Sequence, residues 1–282
     1  MFGKIIKVFV SVLLLCFSFY STNLIVDIVR SNDPIMKQIN KEKSNYEDAA
    51  VDAVIVDDTI TPGVNGVKVE VNKSFKKMFQ YGSYDDRLYT FFEVSPAISI
   101  NDYYDKYIVS GRDDSMDVGI VFTVSRDDDI IDLLTVLSDN NVTATFFVDG
   151  LFLENNRSFI KNMIENKYEV ELFNYNGNYQ EIYFKNALSI LNDIRGEKSN
   201  FCFSSYKRSK VLNLCKNLQL HTVIPSIDAK TYPYKNIKNN LKGGSIIYMS
   251  NNIDELEMSI NYIKQKGFNL VRLDKLLDES EN

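Results

Sequence analysis

The acidic run Asp127, Asp128 and Asp129 in SRDDDI, Glu171 in EVELF and Asp228 in IPSIDAKTY have the chemistry to hold a hard cation or to act as acid and base. Their spacing imposes neither role, and the run SRDDDI opens a helical pattern, where acidic side chains complement the helix dipole. A softer metal needs imidazoles or thiolates. The whole sequence holds one histidine, His221, so no site of two histidines and a carboxylate can be assembled within one chain. His221 starts the apolar run HTVIP and is read as a structural histidine. Ser204 and Ser205 in FSSY lack a nucleophile-elbow context and a histidine partner. Calcium-loop and phosphate-loop motifs are missing. Cys16, Cys202 and Cys215 form no CxxC pair; Cys202 and Cys215 are read as buried free thiols, with a disulfide as the extracellular alternative.

The elements that would position these residues follow from periodicity. From Val118 onward, VGIVFTV, ATFFV, YEVELF, FCF, HTVIP, SIIYM and NLVRL are apolar runs of strand length. Helical spacing lies between several of them, as in Ile130, Leu133, Leu134 and Leu137, or Ile253, Leu256, Ile260 and Ile263. Continuous apolar strands between amphipathic helices make a parallel sheet covered on its faces, and about seven such units suit a barrel. Asn252 with Glu255 is expected to form a capping box ahead of the last long helix, and Gly267 to stop it. Sites in such folds gather at the carboxyl ends of the strands.

The 282 residues fit one large domain and a small one. Hydrophobic residues are 45% and charged residues 25%, enough to bury a core. The net charge of −6 and the lack of a basic stripe exclude nucleic acid as a partner class. At the N-terminus, Lys4 and Lys7 precede the apolar run Val8 to Tyr20, so residues 1–29 are expected to be an uncleaved membrane anchor, with a cleaved export signal as the alternative. Residues 30–50 read as a polar linker and 51–117 as a small α+β domain, with strands in VDAVIVDD and VKVEV and a helix ending at Gly82.

Taken in order, the strand ends of residues 118–282 resemble the polysaccharide deacetylase family, the NodB-homology or carbohydrate esterase 4 domain. The matching pieces are NNVTATFFVDG, IKNMIENKYEVELFNY, IPSIDAKTY, GGSIIYMS and YIKQKGFNLVRLDKLL. The resemblance implies a distorted (β/α) barrel, here preceded by the small domain and a transmembrane helix. It also implies metal-assisted removal of acetyl groups from N-acetylated sugars, through two aspartates and an H-x3-H pair. The aspartate positions fall on Val124 and Ser125, or with a two-residue gap on Asp127 and Asp128, and the histidine positions fall on Phe173 and Gly177. Asp228 matches a family aspartate, Tyr206 a conserved tyrosine, and Ser250 stands where the later histidine belongs.

The expected protein is therefore membrane-anchored, extracytoplasmic and catalytically inactive, without a metal or other cofactor, and it binds or scaffolds the envelope polysaccharide or peptidoglycan. Asn174, Asn178, Tyr206, Asp228, Ser250 and Asn251 are the candidates for a glycan cleft. The alternative is an active, divergent N-deacetylase working through Asp228 with Asp127 or Asp128.

Overall fold

The computed structural model describes residues 29–280 together with Phe17. The expected anchor, 1–29, lies outside the described residues apart from Phe17 and Val29. Among the described residues no helix is long and apolar enough to cross a membrane.

The strands are β1 (Val54–Val56), β2 (Thr59–Thr61), β3 (Gly66–Val69), β4 (Phe91–Val94), β5 (Tyr107–Ile108), β6 (Asp117–Val124), β7 (Thr145–Asp149), β8 (Glu169–Asn174), β9 (Phe201–Phe203), β10 (His221–Val223), β11 (Ile227–Asp228), β12 (Ile246–Met249) and β13 (Asn269–Val271). The helices are α1 (Pro34–Glu42), α2 (Val71–Tyr81), α3 (Ile131–Asp139), α4 (Gly150–Asn155), α5 (Arg157–Glu165), α6 (Glu181–Arg195), α7 (Ser209–Asn217), α8 (Pro233–Asn240), α9 (Leu256–Gln265) and α10 (Leu273–Leu276).

The chain divides into two compact units, and the division differs from the linear one read in the sequence. The smaller unit holds residues 29–50 and 65–94; the larger holds 51–64 and 95–280. The polar segment 30–50 is not all linker. Asp33 accepts the Ile35 amide at 2.8 Å, Pro34 starts α1 with its φ already set, and Met36 and Ile39 bury themselves. Ile39 packs with Val69 of β3, Met78 of α2 and Tyr89, which lies just before β4. Gly82 ends α2 in the left-handed conformation at φ 94°.

In the larger unit the strands run β1-β2-β5-β10-β9-β8-β7-β6-β12-β11, with β13 also paired to β6, and the sheet curls into a half-barrel. Every pairing is parallel except the β1–β2 hairpin, which turns at Asp57 and Asp58. Alternate residues serve two cores. Ile120, Phe122, Phe146, Val148, Val170 and Leu172 face the helices. Val121, Phe147, Phe203, Val223 and Tyr248 face the other way, into a second core that Ile60, Leu273 and Leu276 also enter.

Two local expectations change. The capping box does not form: Asn252 Oδ1 accepts the Asp254 amide at 2.9 Å in a turn of its own, and α9 starts later, after Glu255 at φ 61°. Gly267, at φ 85°, does follow that helix as expected. Cys202 on β9 and Cys215 on α7 are joined as a disulfide, not free thiols; their Cα atoms stand 6.3 Å apart, within reach of a bridge.

Candidate functional site

The carboxyl ends of β6, β7, β8, β9, β11 and β12 carry the residues singled out in the sequence. β6 ends on Val124, which is fully buried in the helix-facing core. After it the chain turns on Asp128, whose Oδ2 accepts the Ser125 amide at 2.7 Å and the Asn251 side-chain amide at 2.8 Å. Asn251 also donates to the Thr123 carbonyl at 3.0 Å. Asp128 and Asn251 thus staple the loop after β12 to the end of β6. Asp127 is exposed and paired with Arg126 at 2.8 Å, and that guanidinium holds its carboxyl below the ordinary range. Asp228, half-exposed, accepts the Lys230 amide at 3.1 Å. The three aspartates have separate partners.

Glu171 does not join them. It lies in the interior beside Arg195, on α6, whose guanidinium donates to it. Among the described residues no group of three His, Cys, Asp or Glu side chains is placed to hold a metal.

The end of β8 explains the asparagine-rich loop. Tyr175 and Asn178 exchange two backbone hydrogen bonds at 3.0 Å across Asn176 and Gly177, whose φ angles are 48° and 71°. Two successive left-handed residues make the tight turn that the pair Asn-Gly favours. Asn174, buried, accepts the Gly177 amide at 3.1 Å, and Asp149 at the end of β7 accepts it at 3.3 Å. The other Asp149 oxygen caps α4 by accepting the Leu151 amide at 2.8 Å. Gly150 must lack a side chain, because a Cβ there would sit 2.3 Å from the Tyr175 ring. Phe173 is half-buried against the second core.

These residues do not suit a metal of the kind the resemblance implies. The positions read as its ligands offer an isopropyl group at Val124, a hydroxyl at Ser125, a phenyl ring at Phe173 and a hydrogen at Gly177. Only one of the four bears a donor atom, so the residues present do not fit that metal.

A cluster that the sequence reading missed stands beside this turn. The Arg208 guanidinium lies 4.5 Å from the Tyr206 ring centre and 5.9 Å from that of Tyr179, and donates to the Tyr206 hydroxyl at 2.6 Å. Ser204 fixes the turn by donating to the Tyr206 carbonyl at 2.7 Å. Tyr248 bonds Thr123 at 2.8 Å, packs edge-on to Phe203 at 4.8 Å between centroids, and lies under the Lys230 ammonium at 4.8 Å. Burial raises the Tyr179 phenol pKa, and the Arg208 guanidinium opposes that rise. Tyrosines and cations on successive strand-end loops were the signal, but only folding brings 179, 206, 208, 230 and 248 together. Of the glycan candidates, Asn174 and Asn178 serve the turn, Asn251 serves the staple, Tyr206 joins this cluster, and Ser250 is half-buried.

His221 sits at the opposite end, at the start of β10. Its ring stacks on Tyr104 with centroids 4.5 Å apart, and burial pushes the imidazole down to about 4.

No family profile matches the sequence. The uncharacterized protein YlxY of Bacillus subtilis is 25% identical over 280 residues, covering 90% of this chain and 87% of that protein. Wild-type BA3943 of Bacillus anthracis, a CE4 family pseudoenzyme, superposes with a TM-score of 0.64 at 22% identity, covering 89% of this chain and 97% of that one. A BA3943 mutant with restored enzymatic activity gives 0.65 at the same identity and covers 100% of that chain. The Bc1960 peptidoglycan N-acetylglucosamine deacetylase gives 0.54 at 21% identity, covering 62% of this chain and 95% of that one. The fold of this chain is accordingly that of the CE4 polysaccharide deacetylases, with a pseudoenzyme among the structures it superposes on.

Proposed function

We propose that this chain is a CE4 polysaccharide deacetylase homologue that has lost its metal-dependent chemistry and acts by binding or scaffolding envelope glycan. The apolar run Val8 to Tyr20 would hold it to the membrane, with the folded units outside the cytoplasm. The observation that carries the reading is the β8 end: Phe173 and Gly177 stand where two histidines are needed, and the Asn176-Gly177 turn has its hydrogen bonds filled by the protein itself. The likeness to BA3943, a pseudoenzyme, points the same way. A disulfide between Cys202 and Cys215 suits an oxidising compartment.

The test is an acetate assay on the intact chain with N-acetylglucosamine oligomers and peptidoglycan, with and without added zinc, alongside sedimentation with peptidoglycan. Acetate at the level of the enzyme-free control, with the chain pelleting, is the expected result. Acetate release that a chelator stops would overturn the loss of catalysis, and failure to pellet would overturn the binding role.

A further inference from the structure

Among the described residues Arg208 has no carboxylate partner. Its neighbours at the strand ends differ: Lys207 is held by Asp58 at 2.5 Å and Arg126 by Asp127 at 2.8 Å, while Lys230 reaches Asp228 at 4.0 Å. Two tyrosine rings and the Tyr206 hydroxyl hold the guanidinium instead, and most of its five donors have no acceptor among the described residues. Arg208 precedes α7 but makes no side-chain cap there, so the helix does not account for its place.

One half of each amide nearby is engaged within the protein. Asn174 accepts from Gly177, Asn178 from Gln180, and Asn251 donates to Thr123 and Asp128. What sets the cluster apart is aromatic surface, with Tyr206 56% exposed, and the positive charge of Arg208, while Lys230 above Tyr248 shares its charge with Asp228 at 4.0 Å.

We infer that Tyr179, Tyr206 and Arg208, with Lys230 and Tyr248 beside them, bind an acidic sugar, its ring lying on the tyrosines and its carboxylate or phosphate in the guanidinium fork. A planar guanidinium takes either group through two parallel hydrogen bonds. The inference rests on the glycan-binding reading above and names the class of glycan.

The experiment is calorimetric titration of the intact chain with four probes: a chitin trimer, a galacturonate trimer, N-acetylglucosamine 6-phosphate and inorganic phosphate. At least one acidic sugar is expected to bind about tenfold or more tighter than the chitin trimer, the scale of one charge-assisted bidentate contact. Arg208→Met should bring acidic and neutral sugars within about twofold, and Lys230→Met should weaken the acidic sugar alone. The acidic sugar that wins identifies the substituent. Equal binding of neutral and acidic sugars overturns this inference and leaves the glycan reading standing. Inorganic phosphate binding as tightly as the sugar phosphate overturns it too, since the rings would then contribute nothing. No binding by any probe removes both readings. Unchanged melting of both variants separates lost contacts from lost folding.

Discussion

Arg195 donates to Glu171 in the interior of the larger unit, where their side chains are 6% and 0% exposed. Burying two charges is costly, and their pairing offsets the cost only while both are present. Arg195→Met should therefore destabilise the fold by about 3–5 kcal/mol, because it strands the Glu171 carboxylate. Adding Glu171→Met should recover much of that loss in a denaturant titration. An additive double mutant would show that the two residues do not act as a pair.

Glu169 has no such cation. Its Oε2 accepts the Thr145 hydroxyl at 2.6 Å and the Leu273 and Asp274 amides at 2.9 and 3.2 Å, while Oε1 is buried without a partner among the described residues. Burial, then the charge of Glu171, drives its pKa upward, so the folded protein keeps Glu169 protonated where an unfolded chain has lost the proton. The stability this provides is complete below the ordinary glutamate range and drains away as pH rises through the elevated folded value. Glu169→Gln mimics the neutral acid. It should flatten the decline between acidic and neutral pH, and melting temperatures measured from pH 4 to 8 would show it; an unchanged slope would rule this out.

His221 acts on the other side. Its imidazole is neutral when folded and titrates at about 4, against an ordinary value near 6.5. As pH falls below that ordinary value the unfolded chain gains a proton that the folded one refuses, so stability drops until about pH 4. The loss amounts to about 3 kcal/mol at most, at roughly 1.4 kcal/mol for each pH unit of difference. His221→Phe, which keeps a ring against Tyr104, should remove this acid limb. An NMR titration placing the imidazole near 6.5 would contradict the burial argument.

The Cys202–Cys215 disulfide closes a short loop with a sequence separation of 13 and ties α7 to β9. Loop-closure entropy for that span is worth about 3 kcal/mol. Reduction, or the double change Cys202→Ala and Cys215→Ala, should lower the unfolding midpoint accordingly. A midpoint insensitive to reductant would mean that the bond does not form.

Legibility in the sequence followed the range of the interaction. Strands β6, β7 and β12 were readable because burial on both faces leaves largely apolar runs, and β8 was readable from Val170, Leu172 and Phe173 despite its two buried glutamates. The helix α1 was hidden, since only Met36 and Ile39 mark its buried face among polar neighbours. The placement of β1 and β2 in the large sheet was hidden for another reason: β2 pairs with β5, nearly fifty residues on, and alternation says nothing about partners. Asp127, Asp128 and Asp228 were visible as residue types, yet a side chain's partner decides its role. Asp128 becomes a loop staple through Asn251, more than a hundred residues later. Glu171 resembles the strand-end acids in type but faces Arg195, at the end of α6, instead. The setting of Arg208 was hidden because nothing in KRSK foretells two tyrosine rings around it.

Glu279 is buried and accepts the amides of Gly63 at 2.8 Å and Ile100 at 3.1 Å, and the Ser99 hydroxyl donates to it. The Gly63 contact spans 216 positions. The earliest part of the larger unit to be synthesised thus lacks its buried acceptor until nearly the last part has emerged, so its final locking has to wait for the ribosome to finish that stretch. Contacts this distant slow folding, which leaves a nascent form that chaperones would meet before the native one exists.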